Sequence, residues 1–240
     1  MRNKSILDKA VLISVLVLPS LIYVASVYQN SEVFFKTLDY VGPKQVVETN
    51  GSFDTLAYTI PDFKFYDTDS NAISRASLDS NFYVLSFFFS TCPSICPVMN
   101  FHLKVIEDRF KAFDDFKLVS ITVDPEKDTP AILKQYQKER NYDPSKWIFL
   151  TGNQEEIYDL AKGVYLNAFE DQTAEGGFLH STSVVLVDWN GHIRSRRDDN
   201  GQIVGSYDVL EATVLNDLEE DIKVLKAEYE KEKHKAKKYE

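Results

Sequence analysis

Cysteine is nearly absent from this chain: Cys92 and Cys96 are the only two in 240 residues. That excludes a disulfide framework of the kind that staples small secreted domains. Methionine is as scarce, with Met1 and Met99 alone, so no methionine-rich soft-metal site exists. A basic excess is missing too. Twenty-seven Lys and Arg stand against 37 Asp and Glu, a net charge of −10, and nothing builds the basic groove that nucleic acid requires. No proline follows Pro144, and no internal repeat is visible. What is present suffices for one core: 44% of residues are hydrophobic and 27% charged.

The two cysteines lie in one stretch, Phe87-Phe88-Phe89-Ser90-Thr91-Cys92-Pro93-Ser94-Ile95-Cys96-Pro97. The apolar run from Phe82 to Phe89, rich in aromatic and β-branched residues, predicts a buried strand. Met99, Leu103, Ile106, Phe110 and Phe113 then recur at three or four residues, the stripe of an amphipathic helix. Pro97 is tolerated only in a first helical turn. This puts Cys96 at the helix start and Cys92 on the loop before it. Thiols so placed can close a disulfide or chelate one soft metal ion, and a helix N-terminus favours thiolate for either reaction. A disulfide across so short a loop would restrict the unfolded chain little, which argues against a purely structural pair.

Ahead of that region, residues 1–9 form a leader carrying Arg2, Lys4 and Lys9, and residues 10–28 run almost without a polar side chain. The length fits a bilayer crossing and exceeds a signal-peptide core. The leading positive charges put the N-terminus in the cytoplasm and the remainder outside. Val24-Ala25-Ser26 resembles a cleavage site only weakly, so an uncleaved anchor is expected. No cysteine follows to carry lipid, and the leader lacks the look of an organelle transit peptide. A single-pass protein of a bacterial inner membrane, its domain periplasmic, is the resulting expectation, and the thiols then face an oxidising compartment.

Residues 29–57 read as a linker that becomes a hairpin, with Gly42-Pro43 and Asn50-Gly51 as turns. The domain is expected over 58–228. Ile60 to Phe65 alternates as a strand does, with Pro61 suited to an edge. Phe116 to Val123 is a second buried strand. Thr129 caps a helix that has Pro130 at its first position. Trp147 to Leu150 is a short strand, Asn153 and Glu156 form a capping box, and Val184 to Val187 reads as a central strand. Asn190-Gly191 makes a hairpin turn. Leu210, Val214, Leu218, Ile222 and Leu225 stripe a long last helix. Residues 229–240 form a Lys/Glu-rich, solvated tail. This order predicts an α/β sandwich with a partly parallel sheet, whose ligand chemistry sits at the carboxyl end of the strand before the cysteines.

Of the histidines, His234 lies in the charged tail and His192 follows a turn, so solvation accounts for both. His102 belongs at a helix boundary or in solvent. His180 follows the polar loop Glu170 to Gly177 and directly precedes the central strand, which can bring it to the sheet edge that holds the cysteines. At that position it can be structural or a ligand. Two thiolates and one imidazole would be one ligand short of structural zinc, whereas two thiolates suit Cu(I), and an added imidazole suits Cu(II).

Four motifs together resemble the Sco/SenC family, named for synthesis of cytochrome c oxidase. They are Thr91-Cys92-Pro93-Ser94-Ile95-Cys96-Pro97, Thr122 to Pro130 (TVDPEKDTP), Trp147 to Gly152 (WIFLTG) and His180-Ser181-Thr182. The likeness runs from about Ile60 to Leu225. It implies a thioredoxin-like sandwich with a central mixed sheet, added hairpins and an N-terminal transmembrane helix. It implies copper, Cu(I) or Cu(II), held by Cys92, Cys96 and His180. The implied partner is cytochrome c oxidase subunit II, whose binuclear copper site would receive copper or have its cysteines reduced, or another copper chaperone. Ser94 departs from the acidic residue common in the family, and the segment Arg194 to Tyr207 is longer than a simple turn. Asp124 and Asp128 match family positions, where loop hydrogen bonds and a helix start explain them. The rival reading is a thiol-disulfide oxidoreductase using Cys92 and Cys96 as a redox-active pair, although the spacing is one residue wider than in thioredoxin. A peroxiredoxin is disfavoured because neither cysteine has threonine three residues before it.

Overall fold

The computed structural model describes residues 15, 17–23, 37–49, 52–171 and 177–238. It divides into two units, Met1–Lys36 and Thr37–Glu240. In the first, residues 17–23 are helical with exposed Leu18, Leu21 and Ile22. Most of the expected span 10–28 lies outside the described residues, and among those described no helix is long and apolar enough to cross a membrane.

The second unit begins with β1 (Asp39–Tyr40) and a hairpin of β2 (Gln45–Thr49) and β3 (Ser52–Leu56), in the segment where a hairpin was expected. A smaller hairpin follows, β4 (Lys64–Tyr66) with β5 (Ala72–Ser74). The strand expected from Ile60 is shorter than its alternation suggested. Pro61 offers no N–H to a ladder. Ile60 instead donates its own N–H to the Gly191 carbonyl at 2.9 Å, and its side chain enters the core.

The alternation that positions the cysteines comes next. β6 (Phe82–Phe88) leads to α1 (Ile95–Arg109), β7 (Phe116–Thr122), α2 (Pro130–Glu139), β8 (Trp147–Leu150) and α3 (Gln154–Gly163). Every residue of β6 is buried, as a strand covered on both faces must be. Thr129 caps α2 by accepting from the Ile132 N–H, with Pro130 behind it. Asn153 caps α3 by accepting from the Glu156 N–H at 3.2 Å. A third hairpin, β9 (Ala168–Glu170) and β10 (Phe178–His180), precedes β11 (Ser183–Val187), β12 (Ile193–Ser195), β13 (Tyr207–Asp208) and α4 (Ala212–Lys238).

The main sheet runs β1-β12-β11-β6-β7-β8, with β13 also pairing β11. β6, β7 and β8 are parallel, and β11, β12 and β1 continue antiparallel. This is the expected mixed α/β sheet. Gly191 takes φ +80° in the β11–β12 turn, a region open to glycine and costly for other residues. The sheet interior admits a short polar chain. The Ser86 and Ser120 hydroxyls meet at 2.7 Å, and the Trp147 indole N–H donates to Ser120 at 2.8 Å. Tyr229, expected as the first residue of a solvated tail, is instead buried. Its ring lies 4.7 Å from Trp189 and 6.1 Å from Phe82, and its hydroxyl donates to the Ser80 carbonyl. The stripe of α4 simply continues one turn beyond Leu225, at the i+4 position that shares its face.

Candidate metal centre

Strand β6 ends at Phe88, and the chain leaves the sheet through Phe89, Ser90 and Thr91 before α1 begins. What fixes this exit is Asp128, only 1% exposed. Its carboxylate accepts from the Ser90 N–H at 2.9 Å, from the Ser90 hydroxyl, and from the Thr122 hydroxyl at the end of β7. One buried carboxylate thus ties two parallel strand ends together beneath the cysteine loop. Asp124 accepts from the Lys127 backbone at 3.4 Å and pairs with its ammonium group at 3.0 Å. Loop hydrogen bonds are the roles that the sequence suggested for both.

Cys92 is half-buried on the loop, and Cys96, in the first turn of α1, is 1% exposed. The Cys96 N–H donates to the Cys92 sulfur at 3.4 Å, which turns the first sulfur toward the helix N-terminus. His180 ends β10 in register with Ala168 of β9. Its ring meets Phe89 edge-on at 5.7 Å, and Phe178 packs against the same Phe89 at 5.3 Å. The imidazole Nε2 consequently lies 3.0 Å from the Cys96 sulfur. Nδ1 lies 3.1 Å from the Ser181 carbonyl oxygen. A carbonyl only accepts, so Nδ1 is the donor there and Nε2 is the ring nitrogen that faces the sulfurs. The three donor atoms lie within 4.8 Å of one another, a candidate metal-holding group among the described residues.

The two thiols titrate as a pair with opposite tendencies. The Cys96 side chain hydrogen-bonds to Cys92 and holds the Cys92 thiol well below the ordinary range, against burial that opposes it, with the His180 side chain and the Cys96 and Ser94 backbones adding to the effect. The same contact, together with burial, pushes the Cys96 thiol up. The pair is thus unequal: the half-exposed sulfur is biased toward thiolate and the buried one toward thiol.

The remaining histidines depart from expectation or lie apart. His102, placed at a boundary or in solvent, is part-buried with Nδ1 2.5 Å from the Val209 carbonyl oxygen, and so fastens α1 to the segment before α4. His192 is not simply solvated: Nδ1 lies 3.3 Å from Asp188, and its ring meets Tyr40 edge-on at 5.2 Å. His234 is exposed, as expected. Within the loop ahead of His180, residues 172–176 lie outside the described residues. The clamp by Asp128 and the wall formed by Phe89 and Phe178 were not legible as parts of the site. Phe89 read only as the end of an apolar run, and Phe178 carried no signal.

The SCO1/SenC family model matches residues 54–213. Among curated proteins, the SCO1 protein homolog of Bacillus subtilis is 29% identical over 172 residues, covering 71% of this chain and 84% of that protein. The SCO2-like protein RC0895 of Rickettsia conorii is 35% identical over 135 residues, which is 54% of this chain and 64% of its relative. Among solved structures, a SCO1/SenC family lipoprotein from Bacillus anthracis superposes with TM-score 0.60 at 27% identity, covering 70% of this chain and 95% of that one. Yeast Sco1 with copper bound superposes with TM-score 0.53 at 26% identity, covering 69% and 88%.

Proposed function

Because the chain belongs to the SCO1/SenC family, we propose that it is a copper metallochaperone. On this reading Cys92, Cys96 and His180 hold one copper ion for assembly of the binuclear copper site of cytochrome c oxidase. The observation that carries the proposal is the convergence of two sulfurs and one imidazole nitrogen within 4.8 Å. That donor set suits Cu(I) through the thiolates and accommodates Cu(II) once imidazole joins. The names of relatives point the same way: yeast Sco1 is known with copper bound, and BsSco is described as a member of the Sco family of cytochrome c oxidase assembly proteins.

The roles of the residues follow from their positions. The half-exposed Cys92 thiolate meets the incoming ion first. Cys96 then gives up its proton, because thiolate is the ligand, so loading requires the reduced pair and releases a proton. The Nδ1–H bond to the Ser181 carbonyl keeps Nε2 free for the metal. Residues 10–28 act as the membrane anchor, with the domain on the extracytoplasmic side. Transfer proceeds by ligand exchange to thiolates of the acceptor, oxidase subunit II or a second copper chaperone.

A thiol-disulfide oxidoreductase would use the same thiolate as its attacking sulfur, and this chemistry is available to the pair. Two features count against it as the main activity. His180 stands against Cys96, where disulfide exchange needs open surface, and no proline follows Pro144 to supply the proline that faces the cysteine pair in thioredoxins. The deciding experiment is copper binding by the reduced domain from about residue 29 onward, with His180→Ala in parallel. One equivalent with thiolate-to-Cu(II) charge-transfer bands that the variant loses supports the three-ligand chaperone. Absence of tight binding, with rapid turnover of protein disulfides, supports the oxidoreductase.

A further inference from the structure

The approach to the metal centre from the side of α1 carries no charge. From Thr91 to Phe101 the chain reads TCPSICPVMNF, eleven residues without an ionisable group other than the cysteines, in a protein of net charge −10. This is not a buried stretch. Thr91, Pro93, Ser94, Ile95, Pro97, Val98 and Phe101 are all exposed, with Ile95 39%, Val98 48% and Phe101 65% accessible. The three large side chains fall at successive three-residue steps. That spacing sets them along one flank of α1, beside the turn that holds Cys96. Helix propensity requires none of them, since Glu, Lys or Gln serves an exposed helical position better than Ile, Val or Phe. Elsewhere the rim is charged: Lys127 lies 5.9 Å over the Phe178 ring while paired with Asp124, and Glu126 and Glu170 are exposed.

We propose that Ile95, Val98 and Phe101 form the docking surface for the protein that exchanges copper with Cys92 and Cys96, and that this occupant presents an uncharged, apolar border around its own copper-binding cysteines. The inference rests on the chaperone reading and specifies how its partner is recognised. Direct exchange dictates the occupant. Each Cu–S bond to Cys92 or Cys96 breaks as one to an acceptor thiolate forms. The ion stays Cu(I) throughout, and the acceptor's thiol protons pass to the cysteines left behind. The two metal sites must therefore touch, and whatever borders Cys92 is in the interface. An apolar border without charge keeps water out and lets the thiolate be the one strong electrostatic feature, so docking does not rely on steering by the −10 charge. A small aromatic and aliphatic patch is the usual centre of a transient interface.

The test follows Cu(I) transfer from the loaded domain to the soluble copper-site domain of cytochrome c oxidase subunit II, with a small Cu(I) chelator as second acceptor. Phe101→Glu and Val98→Lys are compared with wild type, and Phe101→Leu serves as the conservative control. Both charged variants should hold copper as tightly as wild type and lose it to the chelator at the same rate. They should transfer to the protein domain at least about tenfold more slowly, with Phe101→Leu near wild type. Wild-type transfer should change less than about twofold between low salt and about 0.5 M salt, where exposed charges are screened. Equal protein-to-protein rates for wild type and Phe101→Glu, or a steep salt dependence in wild type, would overturn the docking surface while leaving copper binding intact. If wild type binds copper but yields none to the protein acceptor, the surface falls together with the proposed target. If it binds no copper, the chaperone reading fails first, and the affinity measurement shows which has happened.

Discussion

At the scale of single residues, the site depends on an unequal pair of sulfurs. The hydrogen bond from Cys96 holds the half-exposed Cys92 thiol below its ordinary range, and the same bond together with burial pushes the Cys96 thiol up. Alkylation should reveal this. With the reduced domain and iodoacetamide, Cys92 should be modified at nearly the same rate at pH 8 and pH 6, because its thiolate survives the drop. Cys96 should be protected at both, and peptide mass spectrometry distinguishes the two. His180→Ala removes the only imidazole among the three donors and should weaken Cu(II) affinity by about tenfold or more, with loss of the charge-transfer bands, while Cu(I) affinity falls less. Competition against a chelator measures both. The sequence marked these three residues as a candidate group, and the fold brings their donor atoms within 4.8 Å of one another. The sequence could not show which ring nitrogen faces the sulfurs, because the Ser181 carbonyl settles that only once β10 has turned into β11.

At the scale of elements, the cysteine loop is held at Ser90 by a residue 38 positions further along the chain. Asp128 bridges Ser90 and Thr122, the exits of β6 and β7. Asp128→Ala leaves those donors without their acceptor in a buried place, which costs about 1–3 kcal/mol. The urea midpoint should fall accordingly, and copper affinity should fall with it because the Cys92 loop loses its tether. Were the midpoint to fall with copper affinity unchanged, the clamp would be structural only. Phe89 does similar work from the other side, packing both Phe178 and His180. Phe89→Ala should cost about 3–5 kcal/mol as a core truncation and should also loosen the hairpin that carries the imidazole. The sequence announced the helix starts here plainly, through Thr129-Pro130 and Asn153. Which carboxylate reaches which strand end was hidden, because parallel strands are brought together by crossovers and not by local turns.

At the scale of the whole domain, a buried ionic cluster closes the end of the sheet where the chain enters. Arg194, 3% exposed, pairs with Asp188 at 3.1 Å and with Glu228 of α4 at 2.5 Å, and donates to the Leu38 carbonyl at 2.8 Å. Glu228 in turn accepts from the Leu38 N–H at 2.8 Å. First residues, last helix and sheet are thereby joined. Burial pushes the Asp188 carboxyl up, but hydrogen bonds from His192 and the positive charges of His192 and Arg194 outweigh it and leave the group below its usual range. A carboxyl depressed on folding contributes stability above its unfolded value near 3.8 and loses it as pH falls through the folded value. Asp115, lowered despite burial through its bond to Lys226, works in the same direction. The urea midpoint should therefore decline below about pH 4, and Asp188→Asn should start lower at pH 7 and decline less steeply. Arg194→Met, which leaves buried Asp188 and half-buried Glu228 without their shared guanidinium, should cost about 3 kcal/mol at pH 7.

The sequence by itself determined the elements that local chemistry controls. Strands β6, β7 and β11 are long buried apolar runs, α2 and α3 carry their own caps, and Asn190-Gly191 makes its turn wherever it is placed. It also determined which residues could do chemistry, because a chain with two cysteines offers few choices. Only the tertiary structure decided what lies 84 residues apart in sequence and 3.0 Å apart in space, the contact of Cys96 with His180. It also set His102 of α1 against the Val209 carbonyl and the His192 ring against Tyr40. Each of these depends on a pairing between segments distant along the chain. Such pairings arise from the summed burial of the whole sheet, and no stretch of local pattern encodes them.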